Sequence, residues 1–188
     1  TDYVVYARGA IAMAGSFTVG GDHLTNDLAR GLRLPLPEAE RLKEEHGNAA
    51  SHGPQRAQKV SIRMPMGPER LIRLSDLYTI ISLRAEETLM LVRKQLAAQD
   101  LLSALPSGVF LTGGGSRLKG MRYLVERVFG LPCTIGQPRG VNGLATATGD
   151  LDFAATVGLL RYAAQTQHRH AIGERVARWW RRLLGRGG

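Results

Sequence analysis

Residues 3–7 alternate bulky and small side chains, and an apolar-rich extended pattern resumes over 10–19 after Arg8-Gly9, so the chain opens on a predicted β-hairpin. The period then lengthens. Leu24, Leu28 and Leu32 form the stripe of a short helix over 23–32, behind Gly20-Gly21-Asp22, with Asp22 as the expected N-cap. Pro35 and Pro37 stand where a missing N–H does no harm, at the entrance of a second helix that runs through Glu38 and Lys43 to Gly47. Residues 48–58, rich in Gly, Ser, His and Pro, read as a loop. Charged and apolar side chains alternate over 59–64 and 70–74 around Pro65-Met66-Gly67-Pro68, which predicts a second hairpin with one wet face. Ser75 is the expected cap of a long helix with Leu77, Ile80, Ile81, Leu89, Val92 and Leu96 inward, closed by Pro106.

The last third returns to short elements: a strand over 108–112, a Gly113-Gly114-Gly115 turn, a helix over 121–129 stopped by Gly130, and a strand over 131–135. A Gly-rich loop and a helix over 153–164 follow. Strands and helices mixed in this order predict an α/β domain with a smaller α/β insertion around 21–96. At 188 residues and 44% hydrophobic content the chain has enough apolar material for a core, which excludes wholesale disorder. No apolar run approaches the roughly 18 residues that cross a bilayer, and the amino terminus carries no charged-then-apolar signal. The chain begins at Thr1 without a methionine, so it is expected to be a piece of a longer protein. Its one cysteine, Cys133, excludes an internal disulfide and reads as a packed strand residue.

Twenty-five basic against sixteen acidic residues leave a charge of +9, which points to an anionic partner such as phosphate, nucleic acid or a lipid headgroup. The distribution sharpens this. Six arginines against Glu174 put +5 of that charge in the last twenty residues. On a helical wheel Ile172, Val176, Trp179, Trp180, Leu183 and Leu184 fall on one side, and Glu174, Arg175, Arg178, Arg181, Arg182 and Arg186 on the other. Arginines opposite paired tryptophans are the pattern of a helix lying in a membrane interface; a terminal helix packed on its own domain, or a nucleic-acid contact, are the competing readings.

Two further features carry candidate chemistry. Gly113-Gly114-Gly115 stands where a strand hands over to a helix, so the backbone can approach a flat ring or a phosphate; the alternative is an ordinary glycine turn. No Gly-Lys-Ser/Thr follows, so this is not a Walker A loop. Glu40 and Lys43, three apart on one helix face, are either a solvated ion pair or a pair facing ribose hydroxyls. The five histidines have no metal-ligand spacing, and no Gly-x-Ser-x-Gly elbow occurs.

Taken in order, Thr1-Asp2, Val19-Gly20-Gly21-Asp22-His23-Leu24-Thr25-Asn26-Asp27-Leu28-Ala29, Ala39-Glu40-Arg41-Leu42-Lys43, residues 111–118, Val128-Phe129-Gly130-Leu131-Pro132 and Ala154-Ala155-Thr156-Val157-Gly158-Leu159-Leu160 resemble the second domain of the FtsA family of actin-like (ribonuclease H-like) ATPases. The resemblance implies a core subdomain made of 1–20 and 97–165, an inserted subdomain over 21–96, a linker over 166–170 and a membrane-targeting amphipathic helix over 171–188. It implies ATP with Mg²⁺ in a cleft between two domains. Gly113, Gly114, Gly115 and Arg117 would then face the adenine, Glu40 and Lys43 the ribose and Asp2 the metal-bound phosphates, and Gly20 and Gly21, at the base of the insertion, would also bind the nucleotide. The first phosphate loop and first domain are missing from this stretch. The chain alone should therefore bind ATP weakly and turn over none, while the parent is a weak ATPase. As partners the resemblance implies the C-terminal peptide of FtsZ, met by Arg63, Arg70, Arg73 and Arg84, further copies of itself in actin-like filaments, and anionic lipids on the inner face of the cytoplasmic membrane at the division site. Nucleic acid is not expected. The alternative is a membrane-anchored interaction module of the same superfamily without catalysis.

Overall fold

The structure, a computed structural model, describes residues 1–50, 57–65, 67–139 and 151–166. Its residues fall into two compact units, Thr1–Gly136 and Gln137–Gly188.

The first unit opens with the predicted hairpin, β1 (Asp2–Ala7) paired antiparallel to β2 (Ala10–Ser16). Arg8 and Gly9 both take positive φ, 53° and 78°, the two-residue turn whose twist matches that of the flanking strands. A register shift between Val5 and Tyr6 bulges β1. Val5 faces inward with Tyr3, Met13 and Phe17, and the Tyr3 and Phe17 rings stack at 5.8 Å.

Helix α1 (Gly21–Gly31) begins two residues earlier than the expected start at His23. Gly20 is the N-cap, not Asp22; Asp22 lies in the first turn, where its charge meets the positive end of the helix dipole. Helix α2 (Leu36–His46) starts after Pro35, with Pro37 in its first turn as the missing N–H allows. The second hairpin, β3 (Lys59–Ile62) with β4 (Arg70–Arg73), runs straight into α3 (Leu74–Ala97). Here Arg73 holds the cap position and Ser75 does not cap: its hydroxyl turns to Asp76 Oδ1 at 3.1 Å, while Leu74 N–H donates to the Gln58 carbonyl at 2.9 Å. α3 also stops well short of Pro106. Asp100 adopts φ 54°, Leu101 N–H reaches back to the Leu96 carbonyl at 3.0 Å, and Leu101 packs with Leu96, which together make a Schellman closure without glycine.

Strand β5 (Val109–Leu111), helix α4 (Met121–Phe129) and strand β6 (Cys133–Ile135) form a βαβ unit with β5 and β6 parallel. Gly130, at φ 68°, ends α4 as expected. Cys133 is buried. One core cluster joins Leu24, Leu28 and Leu32 of α1 and its end, Ala39 and Leu42 of α2, Ile62, Ile72, Leu77 and Ile81 to Met121 and Leu124 of α4. A second gathers Val5 with Val92 and Leu96 of α3.

In the second unit a 3₁₀ turn (Leu151–Phe153) leads into helix α5 over 154–166, whose Val157 is buried and whose Arg161 Nη1 donates to the Arg139 carbonyl at 3.1 Å. The terminal helix expected over 171–188, with Ile172, Val176, Trp179, Trp180, Leu183, Leu184, Arg175, Arg178 and Arg182, lies outside the described residues. Among the described residues no helix is long and apolar enough to cross a membrane.

Candidate functional site

The amino-terminal turn of α1 and the middle of α2 lie side by side, and a half-buried polar cluster joins them. Lys43 Nζ donates to Glu40 Oε2 at 2.7 Å, to Thr25 Oγ1 at 2.9 Å and to the Gly21 carbonyl at 3.3 Å. The Thr25 hydroxyl in turn donates to Glu40 Oε2. The Lys43 side chain is 14% exposed and that of Glu40 41%, so the ammonium is shut in and the carboxylate opens outward. Burial pushes the Glu40 carboxyl up, but the hydrogen bonds from Lys43 and Thr25, with the charge of Lys43, outweigh it and hold the group below its ordinary value of 4.5. The expected Glu40–Lys43 pair therefore forms. Sequence reasoning missed Thr25, whose one signal was a polar residue three before Leu28, on the edge of the apolar stripe.

The glycine turn follows β5 directly. Gly113 has φ 85°, which glycine adopts freely, and its carbonyl accepts from Ser116 N–H at 3.0 Å and Ser116 Oγ at 2.6 Å. A 3₁₀ turn, Gly114–Arg117, then leads toward α4. Neither at Gly113 nor at Gly115 would a Cβ meet any atom within 4 Å. At Gly115 no positive φ calls for glycine either, so the protein's own packing does not explain it.

This turn is bound to the end of α2. A Cβ at Gly47 would lie 2.8 Å from Leu118 Cδ1, and one at Gly120, whose φ is 75°, would lie 2.4 Å from Asn48 Oδ1 and 2.6 Å from Ala50 N. Ala49 N–H donates to the Lys119 carbonyl at 2.7 Å, and Asn48 Oδ1 accepts from Ala50 N–H at 2.8 Å. Residues 48–50 thus seat on 118–120 through backbone contacts that admit no side chain at Gly120. The helix carrying Glu40 and Lys43 is fixed to the glycine turn by its own carboxyl end. From the sequence Gly47 reads as the end of the second helix and Asn48 as the start of a loop, and Gly120 carries no reading, because a long-range backbone fit leaves no periodic trace.

Asp2 opens β1, exposed, next to Thr1, whose hydroxyl donates to the Val19 carbonyl at 2.6 Å; the start of β1 therefore lies against the segment that leads into Gly20 and Gly21. Arg117 is exposed on the 3₁₀ turn. Among the described residues no three His, Cys, Asp or Glu side chains are grouped to hold a metal. Of the four arginines expected at a partner surface, Arg63 and Arg73 are exposed, and Arg70 Nη1 donates to the Arg33 carbonyl at 2.9 Å. Arg84 is engaged within the fold: its Nε and Nη2 grip Asp27 of α1 at 2.5 and 3.1 Å, and its Nη1 meets Glu87 at 2.5 Å.

Comparison with known proteins sets this geometry in a family. In fold, the chain is similar to MreB5 of Spiroplasma citri bound to AMPPNP, with a TM-score of 0.67 at 18% identity over 92% of this chain and 52% of that one. MreB5 bound to ADP gives 0.64 at 17% identity, over 87% and 50%. In sequence, it is 34% identical over 167 residues to cell division protein FtsA of Agrobacterium fabrum, covering 86% of this chain and 38% of that protein. FtsA of Pseudomonas aeruginosa is 30% identical over 168 residues, 89% and 40%. The chain thus spans about two fifths of the length of these relatives. The fold is the mixed α/β, actin-like one expected from the sequence, and the family model for cell division protein FtsA matches residues 1–158. The chain belongs to the FtsA family of cell division proteins.

Proposed function

We propose that this chain forms one wall of an adenine-nucleotide site in an FtsA-type division protein. Its core subdomain is 1–20 with 97–165, and its inserted subdomain is 21–96. The observation that carries the reading is the joint between α2 and the glycine turn: the open Gly113 to Gly115 backbone and the outward Glu40 carboxylate are fixed to one another through Gly47, Asn48 and Gly120. Such a turn has room for a flat base where a side chain would block it, and a carboxylate on the helix fixed to it accepts hydrogen bonds from ribose hydroxyls. The Spiroplasma MreB5 structures, similar in fold, hold ADP and AMPPNP. In the bound state Arg117 would flank the base, and Gly20, Gly21 and Asp2 would lie toward the phosphates. A magnesium ion would be carried on the phosphates and water, with Asp2 as a carboxylate toward it; the remaining length of the relatives would supply the opposite wall and the catalytic groups. On the same proposal nucleotide binding favours actin-like filaments, Arg63, Arg70 and Arg73 meet the acidic C-terminal peptide of FtsZ near Arg84, whose own guanidinium is held by Asp27 and Glu87, and residues 171–188 hold the assembly to anionic lipid at the division site.

The test is an ATP titration of the chain followed by amide chemical shifts, which register even millimolar binding. Shifts are expected at residues 113–117 and at Glu40, and they should vanish in Gly115→Val, whose Cβ meets no atom within 4 Å. Absence of shifts in the unaltered chain, or equal binding by the variant, overturns the reading.

A further inference from the structure

Thr25 stands between the two residues of the ribose-facing pair. The ammonium of Lys43 has three protons, and the structure supplies three acceptors for them: Glu40 Oε2, Thr25 Oγ1 and the Gly21 carbonyl. Every proton of Lys43 is therefore taken inside the protein, on a side chain that is largely buried. A ligand hydroxyl could be served by Lys43 only by breaking one of these bonds. Glu40 is different, because its carboxylate is the more open of the two and offers lone pairs outward.

The hydroxyl of Thr25 sets the direction of the cluster. It has one proton and two acceptors within reach, Glu40 Oε2 and the Gly21 carbonyl, the latter at 3.2 Å. The carboxylate is both nearer and charged, so it takes the proton, and the Thr25 oxygen remains an acceptor for Lys43. Lys43 donates to Thr25 and Thr25 to Glu40, each bond polarising the next. Thr25 itself is buried, so no water replaces the hydroxyl at low cost.

We propose that Thr25 is a positioning residue of the nucleotide site: its hydroxyl ties Lys43 to the amino-terminal turn of α1 and aims Glu40 outward, so that Glu40 touches the ligand and Lys43 acts through it. The ligand half of this statement rests on the nucleotide reading above; the geometry of the pair does not. The experiment compares Thr25→Val, Thr25→Ser and the unaltered chain by two readouts, the ¹³C titration of the Glu40 carboxyl without nucleotide and the ATP titration by amide shifts. The other ionisable groups acting on Glu40 are Lys43 and Glu44. Valine should move the Glu40 titration up toward the ordinary carboxyl value and weaken ATP binding roughly tenfold, and serine should restore both, which a merely space-filling role would not do. If the valine variant does not fold, Thr25→Ala takes its place. Unchanged titration and unchanged affinity in the hydroxyl-free variant overturn the proposal. If the unaltered chain binds no ATP, the nucleotide reading falls by itself, and the Glu40 titration then decides the role of Thr25: a shift restored by serine upholds it, no shift overturns it.

Discussion

The carboxylates of this chain show how single side chains set its response to acid. Glu126 on α4 accepts from the Cys133 backbone N–H at 3.2 Å and from Arg122 Nε at 3.1 Å, tying the helix to the first residue of β6. The backbone N–H, then Arg122, hold its carboxyl below the ordinary 4.5. Glu40 is lowered as well, by Lys43 and Thr25 against an opposing burial effect. In both cases the folded group gives up its proton more readily than the unfolded one. The unfolded chain therefore binds more protons as pH falls, and the stabilisation, complete above the ordinary carboxyl value, is lost as pH drops through the lowered folded values. The urea midpoint is thus expected to decline from about pH 5 downward. Glu126→Gln, whose amide oxygen still accepts from Cys133 but does not titrate, should flatten that decline; slopes equal to those of the unaltered chain would refute the assignment.

At the scale of elements, the decisive fit is between the end of α2 and the approach to α4. Gly120 and Gly130 both adopt left-handed backbone, φ 75° and 68°, but only Gly120 is crowded, by Asn48 Oδ1 and Ala50 N. Gly130→Ala therefore carries the conformational cost alone, about 1–2 kcal/mol. Gly120→Ala adds a clash with backbone that cannot swing aside, and should cost about 3 kcal/mol or more while also loosening the glycine turn. Urea unfolding of the two variants checks the order; equal losses would mean that the 48–50 and 118–120 segments yield to one another. The same joint explains what could be read from the sequence. Helices α1, α2 and α4 and the pairs β1–β2 and β3–β4 follow from periodicity and turn residues, within two or three residues at their ends. Ser75 as a cap and Pro106 as the end of α3 did not hold, because Gln58 pairs the helix start across the sheet and Asp100 closes the helix end in a conformation usually left to glycine. Glu40 and Lys43 stood out as a charged pair at helical spacing. Thr25, Asn48 and Gly120 did not, since their roles arise only when distant segments meet. In β1, Val4 and Tyr6 point outward and exposed although they are as apolar as the inward Tyr3 and Val5, so alternation of bulk did not mark which face was inner.

For the whole molecule the governing quantity is where the charge lies: +5 of +9 in the last twenty residues, which leaves +4 for the other 168. On the proposed membrane role, that segment gains up to about 1 kcal/mol per arginine near an anionic surface, plus about 1.5–3 kcal/mol for each apolar side chain fully buried in the interface. The cost of ordering the segment offsets much of this, so one tail binds reversibly, and a filament presenting many tails binds firmly through effective concentration. The chain's two tryptophans, Trp179 and Trp180, both stand in this segment, so tryptophan emission reports the tail alone. Anionic vesicles should shift that emission to the blue and pellet the chain, neutral vesicles should do so weakly, and added salt should diminish both effects. Trp179→Glu places a charge on the apolar face and removes a large ring; it should abolish pelleting while the circular dichroism melt of the folded units stays unchanged. Pelleting that survives Trp179→Glu, or an emission shift that neutral and anionic vesicles produce alike, would refute the anchor and return the terminal arginines to the role of solvated charge.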